Sequence, residues 1–197
     1  MIPPIRPPDG WAAGSGYGEA VSRPPAVLVS ASYSGAGKTT VTAALLASLR
    51  AQGYATQAFK IGPDFIDPMY HAAVTGRPSI NLDLWLMGEA GIRQSFELWG
   101  DDADCVVIEA MGALFDGADG SQEGSAAHIA RILGVPVVVV LDVWGMTRTT
   151  AALMNGMVDF DRTVDLAGFV LNRVGSDGHR SLIDAGLGEA GRKQVIA

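Results

Sequence analysis

A run of glycines followed by lysine and two threonines has the residue types of a phosphate-binding loop. The run is Ser32-Tyr33-Ser34-Gly35-Ala36-Gly37-Lys38-Thr39-Thr40. Gly35 and Gly37 let the backbone turn so that successive N–H groups face an anion. Lys38 can reach the β- and γ-phosphates of a nucleotide, and the hydroxyl of Thr39 can ligate Mg²⁺. Residues 34–40 are therefore predicted to bind a nucleotide, although the run starts with serine where the usual G-x-x-x-x-G-K-[ST] pattern has glycine. The alternative is an ordinary strand-to-helix turn with an exposed lysine.

A lysine and three carboxylates lie at or just after the ends of two predicted strands. They are Lys60, Asp64, Asp67 and Glu109. Phosphoryl transfer to a carboxylate brings anions together, so it needs positive charge nearby, which Lys60 can supply. Glu109 ends a buried strand, and hard cations take oxygen ligands, so Thr39, Asp64 and Glu109 are predicted to hold Mg²⁺. The residue types leave another interpretation open, because Asp64 and Asp67 adjoin prolines and could simply form turns.

Short apolar runs alternate with segments in which apolar residues recur at helical spacing. The strand-like runs are Ala26–Ala31, 54–61, Cys105–Glu109, 135–142 and Leu166–Asn172. The helical patterns cover 39–50, 92–98, Ala126–Leu133 and 149–157. This alternation predicts an α/β fold, with a mostly parallel sheet and helices on both faces. Ligands of such sheets bind beyond the carboxyl ends of the strands, where Asp142 and Asn172 join Lys60 and Glu109.

The composition is that of an acidic domain with a sizeable core. Of 197 residues 48% are hydrophobic and 18% charged, and the formal net charge is −7. An acidic chain without a basic run is a poor partner for nucleic acid or an anionic membrane, and the single cysteine, Cys105, excludes an internal disulfide. No run approaches the roughly 18 apolar residues of a membrane span, and the N-terminus lacks a signal-peptide pattern, so we expect a cytoplasmic protein. Residues 1–25, rich in proline, glycine and serine, are predicted to be a disordered tail before one domain at 26–197.

Several longer segments of the chain have an unusual and specific sequence. They are Lys60-Ile61-Gly62-Pro63-Asp64-Phe65-Ile66-Asp67-Pro68, Tyr70-His71, Thr75-Gly76-Arg77-Pro78-Ser79, Asn81-Leu82-Asp83, Leu114-Phe115-Asp116-Gly117 and Leu171-Asn172-Arg173-Val174-Gly175. Together they resemble the cobyrinic acid a,c-diamide synthase family, over roughly residues 26–183. The resemblance implies a P-loop NTPase-like fold of the kind found in dethiobiotin synthetase.

The resemblance also implies a reaction, an ATP- and Mg²⁺-dependent ligation in cobalamin biosynthesis. ATP would phosphorylate the a and c carboxylates of a corrinoid, a tetrapyrrole, and ammonia would convert each acyl phosphate into an amide. The family obtains ammonia from glutamine through a C-terminal amidotransferase domain, which these 197 residues do not include. We therefore expect free ammonia or a separate amidotransferase as the source. The resemblance also allows a homodimer, because related folds often build this site across a dimer. The alternative is a nucleotide-binding remnant or regulatory module without ligase activity.

Individual residues gain roles through the same resemblance. Asp64 and Asp67 would belong to the site where the substrate carboxylate is activated, with Lys60 and Glu109 as the other catalytic groups. Asn172 would contact the adenine of ATP. The alternative is that Asn172 simply belongs to a polar loop.

Packing is the competing interpretation for the remaining conspicuous residues. His71 matches the family segment, yet a local packing role is at least as well supported, and His128 is expected to be structural. Cys105 begins an apolar strand and is expected to be a core residue. Trp85 and Met111 could line a macrocycle pocket, although core packing is the more frequent role for such residues.

Overall fold

A computed structural model describes residues 23–197 of the chain. Most of the tail predicted over residues 1–25 therefore lies outside the described residues. Between residues 23 and 197, no helix is both long and apolar enough to cross a membrane.

Within this described part, six parallel strands form one sheet in the order β3-β2-β4-β1-β5-β6. The strands are β1 (Ala26–Ala31), β2 (Thr56–Ile61), β3 (Ile80–Leu82), β4 (Cys105–Glu109), β5 (Val137–Asp142) and β6 (Leu166–Asn172). Strands of a parallel sheet are covered on both faces, which explains why β4 and β5 are continuously apolar rather than alternating. The predicted parallel sheet is confirmed, and β1, which leads into the glycine loop, lies between β4 and β5.

Helices pack on both faces of the sheet, as predicted. They are α1 (Lys38–Ala51), α2 (Asp67–Thr75), α3 (Leu84–Gly100), α4 (Ala126–Leu133), α5 (Thr149–Phe160) and α6 (Asp177–Lys193). On one face, Leu46 of α1 packs with Val107 of β4, and α2 lies beside them. On the other face, Ile92 of α3 and Met154 of α5 belong to the larger core around Phe59.

The sequence did not predict β3, α2 or α6, and it predicted only part of α3. β3 has only three residues, too few for a periodic pattern, and α2 follows a segment that the prolines mark as a turn. Gly88 interrupts α3 with a φ of 63°, so helical spacing was visible only from Ile92. Gly188 breaks α6 in the same way, with a φ of 66°.

The register of the strands gathers polar residues at the carboxyl edge of the sheet. Glu109 of β4 pairs with Val29 of β1 on one side and with Lys60 of β2 on the other. Asp142 at the end of β5 pairs with Asn172 at the end of β6. The glycine loop after β1 thus has Lys60 and Glu109 on one side, and Asp142 and Asn172 on the other.

Candidate active site

The glycine loop connects β1 to α1 in a conformation that only glycine adopts readily. Gly35 and Gly37 have φ values of 98° and 100°, in the region that L side chains rarely enter. A Cβ atom on Gly37 would also lie 2.2 Å from Nδ2 of Asn172. No side chain within residues 23–197 caps the start of α1, so the first N–H groups of this helix are available to an anion. These features are those of a phosphate-binding loop.

The ends of β5 and β6 hold the glycine loop from one side. Nδ2 of Asn172 donates a hydrogen bond to the carbonyl oxygen of Ala36 at 2.8 Å. The Tyr33 hydroxyl donates to the carboxylate of Asp142, which also accepts from Arg173 at 2.7 Å. The Tyr33 hydrogen bond is the largest cause that lowers the pKa of Asp142 below its usual range. The side chain of Asn172 therefore contacts the loop itself, and its predicted contact with adenine stays a prediction.

Lys60 lies on the other side of the loop, buried among carboxylates. Its Nζ lies 2.5 Å from Asp67, 3.3 Å from Glu109 and 3.5 Å from Asp64. It also donates to the carbonyl oxygen of Ala110 at 3.2 Å. Burial lowers the pKa of Lys60, but the hydrogen bond that Lys60 donates to Asp67 and the charge of Glu109 outweigh this effect, so the pKa lies above the ordinary value. Lys60 is thus a buried, charged and fully paired ammonium group.

Glu109 is completely buried, and each of its carboxylate oxygens has its own partners. Oε1 accepts a hydrogen bond from the Thr39 hydroxyl at 2.7 Å and lies near Lys60. Oε2 is 2.7 Å from Nε2 of His71. Burial raises the pKa of Glu109, but His71, Lys60 and Thr39 together lower it below the ordinary value. The side chain is therefore ionised, and Oε1 faces the start of α1.

Asp64 forms a turn with one carboxylate oxygen and faces Lys60 with the other. Its Oδ1 accepts hydrogen bonds from the backbone N–H groups of Ile66 at 2.8 Å and Asp67 at 3.2 Å, which shapes the turn into α2. Its Oδ2 faces Lys60. Nδ2 of Asn81 donates to the carbonyl oxygen of Asp64 at 2.8 Å and holds the turn against β3. Burial raises the pKa of Asp64, yet these N–H groups and Lys60 bring it below the usual range.

The glycine loop lines a cleft of about 280 Å³ together with an acidic cluster, which consists of Lys60 and the carboxylates of Asp64, Asp67 and Glu109. Its walls are Ser34, Gly35, Gly37, Lys38, Thr39, Thr40, Lys60, Asp64, Asp67, Glu109, Ala110, Met111 and Gly112. The structure thus brings together the predicted loop and catalytic residues, with Ala36 and Asn172 just behind the loop. Burial, followed by the nearby charge of Lys60, lowers the pKa of Lys38. An anion bound in the cleft would offset both effects.

The oxygen donors of the cleft suit Mg²⁺ bound together with substrate phosphates better than they suit a metal bound by protein side chains alone. Among residues 23–197 no cluster of three or more histidine, cysteine, aspartate or glutamate side chains is arranged to hold a metal. Mg²⁺, however, is usually bound by one or two carboxylates together with substrate phosphates. The hydroxyl of Thr39, Oε1 of Glu109 and the carboxylate of Asp64 are hard oxygen donors of this kind.

The residues for which packing was the competing interpretation differ in their surroundings. His71 is completely buried, but it contacts Glu109, which its sequence context did not predict. Trp85 is 91% exposed and Met111 51% exposed, so core packing is wrong for both. Cys105 is only partly buried; its sulfur lies 3.3 Å from the Thr56 hydroxyl, and burial raises the pKa of its thiol.

Comparison with known proteins gives a family and two groups of relatives. The CbiA family, described as the CobQ/CobB/MinD/ParA nucleotide binding domain, matches residues 27–196. A cobyrinate a,c-diamide synthase of Syntrophotalea carbinolica is 44% identical over 168 residues, covering 85% of this chain and 37% of that protein. A hydrogenobyrinate a,c-diamide synthase of Mycobacterium bovis is 44% identical over 171 residues, covering 84% and 37% respectively. The chain therefore spans little more than a third of the length of these relatives.

Solved structures share the fold at low identity. The hydrogenase maturation factor HypB of Archaeoglobus fulgidus has a TM-score of 0.53 at 16% identity, covering 83% of this chain and 75% of that chain. The signal recognition particle receptor FtsY of Elizabethkingia anophelis, in complex with GDP, also has a TM-score of 0.53 at 16% identity, covering 88% and 55%. The predicted P-loop NTPase-like fold is confirmed. Since the family match spans nearly every described residue, including the loop and the acidic cluster, the chain belongs to the CobQ/CobB/MinD/ParA nucleotide binding domain family, and its predicted similarity to a,c-diamide synthases is confirmed.

Proposed function

We propose that this domain binds ATP with Mg²⁺ and transfers the γ-phosphoryl group to a carboxylate of a corrinoid, which ammonia then converts to an amide. The observation that carries the proposal is the convergence of Lys38, Lys60 and three carboxylates in one cleft beside a phosphate-binding loop. The corrinoid is favoured because relatives 44% identical to this chain are named for cobyrinate and hydrogenobyrinate.

Residues of the glycine loop bind the nucleotide in this proposal. The backbone N–H groups from Ser34 to Thr40 face the phosphates, and the positive end of α1 adds to their attraction. Lys38 is buried beside Lys60, so a phosphate oxygen near its ammonium group would stabilise its charged form. Mg²⁺ would add positive charge where the transferred group becomes most negative.

The chemical step has two stages. A carboxylate oxygen of the substrate attacks the γ-phosphorus, the bond from that phosphorus to the β,γ-bridging oxygen breaks, and ADP leaves with the electron pair. Ammonia then attacks the acyl carbon, inorganic phosphate leaves, and the nitrogen loses a proton. Lys60 lowers the repulsion between the approaching anions. Asp64 and Asp67 orient the ammonium group of Lys60.

The test uses the protein with ATP, Mg²⁺, ammonium and cobyrinic acid. Supplying ammonium removes any need for an amidotransferase, which is the second proposed source of ammonia. We expect ADP, together with mono- and diamide detected by mass spectrometry. Lys38→Ala should abolish both products. Lys193→Ala is the matched control, because Lys193 lies on the surface in an exposed pair with Glu189.

A second function is favoured by the family match, which is described only as a nucleotide binding domain. It is a nucleotide-binding module without ligase activity. This alternative predicts that ATP raises the melting temperature of the wild type, and not of Lys38→Ala, while no amide forms.

Light scattering of the same samples, with and without ATP, tests the proposed homodimer.

A further inference from the structure

We propose that His71 is a positioning residue: it fixes the orientation of the Glu109 carboxylate, so that Oε1 faces the phosphate-binding loop and the Mg²⁺ site. The inference rests on the proposed function, because Glu109 is one of the proposed Mg²⁺ ligands. It adds a residue that neither the loop nor the acidic cluster includes.

The ring of His71 is completely buried, and both of its nitrogens have partners. Nε2 lies 2.7 Å from Oε2 of Glu109, and Nδ1 lies 3.1 Å from the Ser79 hydroxyl. The ionised carboxylate of Glu109 can only accept a hydrogen bond, so Nε2 must carry the proton. Ser79 can then donate to Nδ1, which keeps the ring in that tautomer.

This hydrogen bond holds one oxygen of Glu109, and it therefore fixes the plane of the carboxylate and the direction of the other oxygen. With Oε2 occupied by His71, Oε1 is the oxygen that contacts Thr39 at 2.7 Å and Lys60 at 3.3 Å. The terminal torsion of a glutamate is broad, so without His71 the plane of the carboxylate could rotate and turn its oxygen away from Thr39 and Lys60. Partners of this kind behind a metal ligand typically matter about 10–100-fold for metal affinity or activity.

The same bond joins two separate elements of the site. His71 lies in α2, whose first turn contains Asp67, whereas Glu109 ends β4. The two residues are 38 positions apart in the chain. The contact therefore sets the position of the first turn of α2, which contains Asp67, relative to the carboxylate of Glu109, in addition to orienting that carboxylate.

Two substitutions of His71 separate the hydrogen bond from packing. In His71→Gln the side-chain amide extends about as far as Nε2 and can donate to Glu109, whereas in His71→Asn it reaches only the position of Nδ1. His128→Gln is the matched control at a second helical histidine, which contacts Gly124 instead. The measurements are the dissociation constant of ATP with Mg²⁺ and with EDTA, and the Mg²⁺ concentration that gives half of the increase in affinity.

We expect His71→Asn to need about 10–100-fold more Mg²⁺ than the wild type, with unchanged ATP affinity in EDTA. His71→Gln should restore most of the Mg²⁺ response, and His128→Gln should match the wild type. A wild-type Mg²⁺ response in His71→Asn, or no recovery in His71→Gln, would overturn the role of His71. A wild type that binds ATP no better with Mg²⁺ would overturn the proposed function itself.

A measurement on the wild type keeps the proposal testable even where His71→Asn does not fold. In ¹⁵N NMR of histidine-labelled protein, the ring of His71 is expected to be protonated at Nε2 and shielded from solvent exchange. Finding the proton on Nδ1 alone would overturn the proposal, because Nε2 could then donate nothing to Glu109.

Discussion

Replacing Lys60 with methionine tests whether one buried cation stabilises the acidic cluster. Nζ of Lys60 lies within 3.5 Å of Asp64, Asp67 and Glu109, and its side chain is 4% exposed. Methionine keeps most of the apolar volume and removes the charge. Breaking a buried ion pair by removing one partner costs about 3–5 kcal/mol. For a domain of this size about 1 kcal/mol lowers the melting temperature by about 2–4 °C, so we expect a decrease of roughly 6–20 °C.

The loss in Lys60→Met should depend on pH in a particular direction. The charge of Lys60 helps to lower the pKa of Glu109, against the effect of burial, so we expect this pKa to be higher in Lys60→Met than in the wild type. In the wild type, the stability contributed by these carboxylates is lost as the pH falls through their folded pKa values. In Lys60→Met the unpaired carboxylates become neutral on acidification. The difference in melting temperature between the two proteins should therefore narrow as the pH falls.

Differential scanning calorimetry at pH 7 and at about pH 4.5, within reach of carboxyl pKa values, measures this difference. Lys193→Met is the control: Lys193 pairs with Glu189 at 2.9 Å, but both side chains are more than 70% exposed, and such pairs contribute about 0–1 kcal/mol. A loss in Lys60→Met no larger than in Lys193→Met would refute the reasoning. So would a difference that does not narrow at the lower pH.

Three further predictions address the glycine loop and the carboxylates. Gly37→Ala should lose ATP binding in calorimetric titration and about 1–2 kcal/mol of stability, because φ is 100° and the new Cβ would meet Asn172; wild-type affinity would contradict this. Wild-type stability in urea should decline as the pH falls below about 4, the unfolded carboxyl pKa, since the pKa values of Asp64 and Glu109 are lowered in the fold; a flat profile would contradict it. In Tyr33→Phe the pKa of Asp142, followed by ¹³C NMR, should rise, because the variant lacks the hydrogen bond that lowers this pKa most; an unchanged pKa would contradict this prediction.

The fold was predictable where local sequence alone determines an element. β4 and β6 begin and end at the predicted residues, because strands of a parallel sheet covered by helices are mostly apolar. β5 starts at Val137, two residues later than predicted, since Pro136 cannot donate to the sheet. β3, with three residues, is a strand only because β2 lies beside it, and no local pattern records that neighbour.

The site was predictable as a set of residues but not as a set of contacts. The spacing from Lys60 to Asp67 places them in one short segment, so their proximity follows from the chain itself. The contact of His71 with Glu109 depends instead on β2 pairing with β4 rather than with β1. Residue types allow either arrangement of strands, so a packing role for His71 was an equally reasonable expectation.

The two lysines of the cleft differ in what they can still bind. All three ammonium protons of Lys60 already have acceptors within 3.3 Å, on Asp67, Glu109 and the carbonyl of Ala110. A phosphate could bind Lys60 only by displacing one of them. Lys38, in contrast, forms no ion pair within residues 23–197 and lines the same cleft. We infer that Lys38 binds the phosphates directly, while Lys60 acts through its charge, which offsets part of the negative charge of the carboxylates around it. Substitution of Lys38 should therefore weaken ATP binding most, and substitution of Lys60 should mainly lower stability and the rate of amide formation.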